Sequence, residues 1–305
     1  MSEKRHYSLL IIGGGAAGCC AGMYGVLGGA DCAVIEAFSP GGQLLSAGQI
    51  RNYPGIEPVS GAELARRFHS SAKEAGVEFL FTSVRSAALT GSVKRLDTDQ
   101  GLYTADAVIL AAGAVPRPLG LPGEQRLIGC GVSYCAQCDG FLFKRKDVAV
   151  VGGGNTAVSQ ALYLSALCRS VTLIHRRGEF RASAALLSQL ESAENVRILH
   201  NTQISALNGQ EILESITLSN QEILPCQGLF VAIGRTPATS FLSGQLETDD
   251  NGHLLTDERC RTALPGVFAA GDIRTSPLKQ IVTAAADGAI AAVSALEYLK
   301  APGNA

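Results

Sequence analysis

A strand, a glycine turn, a helix and a second strand occur twice in this chain in one frame, and no other feature restricts its fold as much. Leu9–Ile12 is a short apolar strand signal, followed by Gly13-Gly14-Gly15-Ala16-Ala17-Gly18, a helix of small residues, and a strand Ala33–Ile35 that ends in Glu36. The order returns as Val148–Val151, the turn Gly152-Gly153-Gly154-Asn155-Thr156-Ala157, a helix Ala157–Leu167, and a strand Val171–Ile174 that ends in His175. First glycine to strand-end residue runs 13 to 36 and 152 to 175, 23 positions in each copy. One such turn is weak evidence; two in matched frames point to two dinucleotide-binding folds. In such a turn the first glycine permits the tight bend and the second lets backbone approach a pyrophosphate. The third position allows close packing, and the helix N-terminus faces the phosphate charge.

The copies differ where the second strand ends, beside the adenosine ribose. Glu36 accepts hydrogen bonds from ribose hydroxyls and repels a 2′-phosphate, so the first copy suits FAD or NAD. In the second, His175-Arg176-Arg177 with Arg181 replaces the acid by guanidinium forks that match phosphate oxygens, which points to NADPH. A solvated basic surface cluster is the ordinary alternative for such a run.

Each copy closes on a buried-strand run, Val108–Gly113 before Pro116 and Leu229–Gly234 before Pro237. The second unit is thus complete by about residue 240, and Gly266–Asp272 is a further strand with no place in it. The expected fold class is α/β, with two Rossmann-like, doubly wound, three-layer dinucleotide-binding domains, the second inserted into the first. Residues 1–115 form the first part of an FAD-binding domain, 116–241 an NADPH-binding domain, and 242–305 the second part of the first domain. The last element, roughly Leu278 to Leu299, has helical apolar spacing.

Composition narrows the function. The 305 residues suffice for two domains, and a net charge of −2 offers neither a basic field for nucleic acid nor a polybasic membrane patch. Nine cysteines at uneven spacing argue against a secreted disulfide framework and for a reducing, cytoplasmic compartment. Lys4-Arg5-His6 before the uncharged run Tyr7–Ala30 mimics a signal peptide or a membrane span. Eight of those 24 residues are glycine, so no membrane segment is expected.

Cys135-Ala136-Gln137-Cys138-Asp139 ends shortly before the second glycine turn. A thiolate attacks a disulfide, and Cys-x-x-Cys at a turn into a helix lowers one thiol pKa while keeping its partner close enough to resolve a mixed disulfide. Asp139 can shuttle the proton. A zinc site would need a second such pair, which the chain lacks. Cys130, Cys135, Cys138 and Cys168 copy a plant-type iron–sulfur spacing, but Cys168 ends the second fingerprint helix, where packing fixes its place. A buried structural thiol pair is the plain alternative. Cys19, Cys20, Cys32 and Cys226 read as small hydrophobes. His6, His69, His200 and His253 form no motif with acid or serine partners, so no hydrolase triad and no metal is expected.

With these motifs in this order, ending in Gly271-Asp272, the chain resembles the low-molecular-weight, NADPH-dependent thioredoxin reductases over essentially its full length. The resemblance implies a homodimer with bound FAD and thioredoxin as its partner. It implies FAD contacts at Gly13, Gly15, Ala16, Ala17, Gly18, Glu36, Gly42, Gln43, Asn52, Ala111, Gly113, Gly271, Asp272, Gln280 and Ile281. For NADPH it implies Gly152, Gly154, Asn155, Thr156, Ala157, His175, Arg176, Arg177 and Arg181. It makes Cys138 the flavin-side sulfur, Cys135 the thiol that attacks thioredoxin, and Asp139 the acid/base. The chain departs from the family pattern at Ser46–Arg51, at Gly178, at Ala238 in place of Asn and at Lys279 in place of Arg. Reduction of another partner such as a peroxiredoxin-reducing component, small-molecule dithiol oxidation, and a non-enzymatic NADPH or redox sensor are the other functions such a chain supports. The dithiol must meet both a flavin and a protein substrate, which suggests a hinge, with Gly113 a candidate.

Overall fold

A computed structural model describes residues 5–47 and 49–301, without the side chains of Ser46, Gln49 and Cys138. The chain begins β1 (His6–Ile12), α1 (Ala16–Leu27), β2 (Cys32–Glu36), α2 (Gly61–Glu74), β3 (Glu78–Phe81), β4 (Val84–Ala88), β5 (Lys94–Thr98) and β6 (Gly101–Leu110). It continues through β7 (Val132–Ser133), α3 (Ala136–Asp139), β8 (Asp147–Val151), α4 (Asn155–Ser165), β9 (Ser170–Ile174), α5 (Ala184–Glu191) and β10 (Val196–Leu199). Then come β11 (Ile204–Asn208), β12 (Ser215–Leu218), β13 (Ile223–Pro225), β14 (Gly228–Val231), β15 (Val267–Ala269) and α6 (Ile281–Lys300).

Packing divides the chain into two units, one formed by the residues up to Val115 and from Thr236 onward, the other by Pro116–Arg235. Phe241 and Leu242 pack into a core of the first unit, so its second segment begins by packing near 236 rather than at 242. Each unit closes its own neck: Ala238 N donates to Gly113 O in the first, and Arg117 N to Gly234 O in the second.

In the first unit the strand order is β3-β2-β1-β6, all parallel, with β5 and β4 following antiparallel. Besides β1, the ten residues of β6 serve two further neighbours: Gly101–Ala105 pairs with β5, and Val108–Leu110 runs parallel to β15. Side chains of β1 alternate in the period-two manner of a strand covered on both faces. Leu9 and Ile11 pack with alanines of α1 and α6, while Leu10 and Ile12 pack with Leu96, Tyr103 and Leu254. Helices on one face and the β4–β6 meander on the other make the three layers. Helix α6 has the length and apolarity to cross a membrane, but Ala291, Ala292 and Ala295 are buried in the core shared with α1. A side chain at Gly288 would meet Ala17 O at 2.2 Å, so the two helices approach backbone to backbone.

The second unit repeats the plan. Its parallel order is β7-β14-β8-β9-β10, and β11–β13 form a separate antiparallel sheet. Val148 and Val150 pack on Ala157, Ala161 and Leu164 of α4, whereas Ala149 and Val151 face Ile216 and Leu218 of β12. Strands β8, β9, β10 and β14 thus stand where β1, β2, β3 and β6 stand in the first unit. The α4 helix starts at Asn155, two residues before the expected Ala157, and ends with Cys168 N bonded to Leu164 O.

Candidate functional site

The first glycine turn is shaped by contacts no side chain tolerates. A Cβ on Gly13, at φ +105°, would lie 2.4 Å from Ala111 O, and one on Gly18 would lie 1.7 Å from Gly13 O. At Gly15 it would meet no atom within 4 Å, so the turn faces open space where a phosphate would lie. Among the described residues α1 has no side-chain cap and no acid in its first turn, leaving its orphan amides for an anion. Glu36 Oε2 accepts Gly14 N at 2.7 Å and its Oε1 accepts Phe38 N at 3.0 Å, which fixes the carboxylate at the strand end. This cradle fits a dinucleotide pyrophosphate.

The other expected FAD residues assemble around it within the first unit. A Cβ on Gly42, at φ +51°, would come 3.4 Å from Gly15 Cα, and Gln43 Nε2 donates to Asp272 Oδ2 at 2.8 Å. Gly113, at φ +67°, lies beside Gln43. Gly271, at φ +75°, sits against Ala17, and its N–H donates to Asp287 Oδ2 at 3.1 Å. Asn52 Nδ2 donates to Gln280 Oε1 at 2.9 Å, immediately before α6 begins at Ile281. Ala16 and Ala17 are buried at the start of α1. The departure at Lys279 has a local account: its Nζ donates to the carbonyls of Arg274 at 2.8 Å and Asp272 at 3.2 Å, bracing the Asp272 turn. In the departure at Ser46–Arg51, Gly48 and the Ser46 and Gln49 side chains lie outside the described residues.

The second cradle is built alike, with one difference. Gly152, at φ +152°, would place a Cβ 2.3 Å from Ala232 O, and Gly154 again faces open space ahead of an uncapped helix, α4. Ala157 is buried beneath Gly152, and Asn155 Oδ1 accepts Ser183 N at 2.8 Å beside exposed Thr156. The sequence groups His175 with the arginines; the structure separates them. Arg176, Arg177 and Arg181 are exposed, whereas His175 is buried with its ring over Gly153, where a Cβ would come within 2.0 Å. Its Nε2 bonds Glu179 O at 2.9 Å and its ring stacks on Phe180. Burial pushes the His175 imidazole below its ordinary pKa, against a smaller opposing effect of the Glu179 carbonyl. Arg181 N donates to Gly153 O at 2.7 Å, tying the arginine loop to the glycine turn.

The cysteine pair lies at the carboxyl end of β7, the strand beside β14, the place that β15 and its Gly271-Asp272 turn hold beside β6 in the first unit. Ligand sites in open α/β sheets form at such strand ends. Cys135 is disulfide-bonded, and α3 runs from Ala136 through Cys138 to Asp139; the Cys138 side chain lies outside the described residues. Asp139 N donates to Cys135 O at 3.1 Å. Asp139 Oδ2 accepts Ser133 Oγ at 2.6 Å, and Ser133 Oγ accepts Cys135 N at 3.0 Å. Cys168 is a free thiol packed in the core around α4, and Cys130 is free and exposed.

Ser133, Tyr134 and Glu124 were not singled out from sequence, and their only signal there is adjacency to Cys135 for the first two. His253, which forms no motif in sequence, bonds Asp249 through Nδ1 at 3.1 Å within one loop.

Residues 7–288 match the family described as pyridine nucleotide-disulphide oxidoreductase. The thioredoxin reductase of Peptoclostridium litorale is 40% identical over 306 residues, 96% of this chain and 97% of that protein. That of Escherichia coli O157:H7 is 39% identical over 315 residues, 98% of each. Among solved structures, Lactococcus lactis thioredoxin reductase in its FR conformation superposes with a TM-score of 0.89 at 34% identity, covering 96% of this chain and 99% of that one.

Proposed function

The chain belongs to the pyridine nucleotide-disulphide oxidoreductases, and within them to the thioredoxin reductases, and from that premise we propose that Cys135 and Cys138 are the working dithiol through which it reduces thioredoxin with NADPH. One observation carries this assignment of residues: disulfide-bonded Cys135 opens a short helix that ends in Asp139, in the same unit as the second nucleotide cradle. When bound, FAD and NADPH supply the electron pair that restores the dithiol. In the first unit, Gly13, Gly15 and Gly18 would admit the FAD pyrophosphate, Glu36 its ribose, and Asp272 with Gln43 its polyol chain. In the second, Gly152, Gly154 and the first turn of α4 would hold the NADPH pyrophosphate, and Arg176, Arg177 and Arg181 the 2′-phosphate.

Asp139 takes the Cys135 thiol proton, and the thiolate attacks one sulfur of the thioredoxin disulfide. A mixed S–S bond forms, the thioredoxin S–S bond breaks, and the departing sulfur receives the proton from Asp139. Cys138 then attacks the Cys135 sulfur, re-forming the internal disulfide and releasing the second thioredoxin sulfur, which takes its proton through solvent. Two electrons pass from dithiol to thioredoxin; each cycle consumes one NADPH and one proton.

Seven free cysteines among the described residues support a reducing, cytoplasmic setting, and the chain is read as a homodimer by its likeness to the family. NADPH oxidation dependent on oxidised thioredoxin tests the assignment: Cys135→Ser and Cys138→Ser should each abolish it while NADPH still bleaches the flavin. Turnover retained in either variant removes the pair from the reaction. Sedimentation of the purified protein tests the dimer.

A further inference from the structure

We propose that Ser133 is a positioning residue for the disulfide exchange, one hydroxyl that locks the Asp139 carboxylate to the backbone of Cys135; this deepens the reading above and rests on it. Ser133 is 4% exposed and ends β7, two residues before the reactive cysteine. Its Oγ accepts Cys135 N at 3.0 Å and has one proton to give. Two acceptors compete for it, Cys135 O at 3.3 Å and Asp139 Oδ2 at 2.6 Å. The shorter contact lies in the range of hydroxyl bonds to an ionised carboxylate, so the proton goes to Asp139.

The consequence is a cross-turn clamp running Cys135 N–H to Ser133 O–H to the Asp139 carboxylate. Helix α3 has only the four residues Ala136–Asp139, too short to hold itself by helical bonding. Its own closure is the Asp139 N to Cys135 O bond, which orders the backbone and leaves the carboxylate free to rotate. Ser133 removes that rotation. It places no proton on sulfur; it keeps the group that does so in one pose.

A double-mutant cycle in the FAD-loaded protein tests this. Ser133→Ala should lower the thioredoxin-dependent kcat roughly tenfold to a hundredfold, the scale at which misplacing a reacting group is felt. Its KM for thioredoxin and NADPH reduction of the flavin should stay unchanged, and Ser133→Thr, which keeps the hydroxyl, should restore kcat. In an Asp139→Asn background the same Ser133→Ala change should cost nothing further. Losses that multiply across the cycle would overturn the proposal, because a hydroxyl that only shapes the turn acts independently of the carboxylate. Iodoacetamide alkylation of Cys135 in the dithiothreitol-reduced protein, read by mass spectrometry, gives a second measure that needs no thioredoxin. Slower alkylation in Ser133→Ala, restored in Ser133→Thr, supports the clamp, and an unchanged rate overturns it, even should the native chain fail to reduce thioredoxin.

Discussion

Tyr134 Oη donates a 2.7 Å hydrogen bond to Glu124 Oε1, joining the residue before the reactive cysteine to a carboxylate that is 4% exposed. The same carboxylate accepts Leu119 N at 2.9 Å and Gly120 N at 2.8 Å, from the segment by which the chain enters the second unit. Burial and this bond push the Tyr134 hydroxyl above its ordinary pKa, so it stays a donor.

Removing either partner should therefore loosen the redox turn, in a definite order. Tyr134→Phe gives up one bond to a charged group, about 1.5–3 kcal/mol of unfolding free energy. Glu124→Gln should cost more, since an amide nitrogen must then face a backbone N–H in a buried place. Urea unfolding of the two variants checks this; the reverse order would mean the carboxylate is not what holds the segment.

The glycine turns separate folding from cofactor binding. Gly18→Ala drives a Cβ to 1.7 Å from Gly13 O and should destabilise the protein by about 3 kcal/mol or more. Gly15→Ala meets nothing within 4 Å, so the unliganded protein should melt unchanged, while FAD is retained at least about tenfold more weakly because the methyl occupies the phosphate's approach. Thermal unfolding of flavin-free protein and flavin titration read the two effects apart. Equal melting losses in both variants would refute the open face at Gly15.

These turns were legible in sequence because geometry there admits one residue type: Gly13 at φ +105° and Gly152 at φ +152° adopt backbone that side chains avoid. The parallel strands were legible as continuous apolar runs, buried on both faces. Strand β7 was not, being two residues long. Glu124 carries no sequence pattern that marks it as buried, and the bond it receives from Tyr134 spans ten positions. The burial of His175 was not legible for a related reason. Beside Arg176 and Arg177 it looks like part of a charge cluster, yet it closes strand β9 in the inward register and covers Gly153.

That inward register divides the second cradle's specificity. Arg176→Ala with Arg177→Ala should weaken NADPH about ten- to 150-fold for each 1.5–3 kcal/mol charged bond lost, and leave NADH untouched. His175→Gln alters the floor of the turn, common to both nucleotides, and should weaken NADPH and NADH by the same factor. Titration of each nucleotide against the variants decides it; selective loss of NADPH in His175→Gln would put the imidazole on the 2′-phosphate after all.

The burial of His175 also sets a pH dependence. Its folded pKa lies below the ordinary value because burial disfavours the imidazolium, with His200, Arg177 and Arg181 adding to the effect. As pH falls through about 6.5, the unfolded chain takes up a proton that the folded chain refuses. The unfolded state then binds more protons, so stability falls with falling pH until the folded imidazole itself protonates. The urea midpoint of the native protein should thus drop between pH 7.5 and 5.5 by more than that of His175→Gln, which has no such proton to exclude. Parallel curves for the two proteins would mean that the folded imidazole takes up its proton as readily as the unfolded one, and a midpoint that instead rises relative to His175→Gln would mean that its bond to Glu179 O is made by an imidazolium.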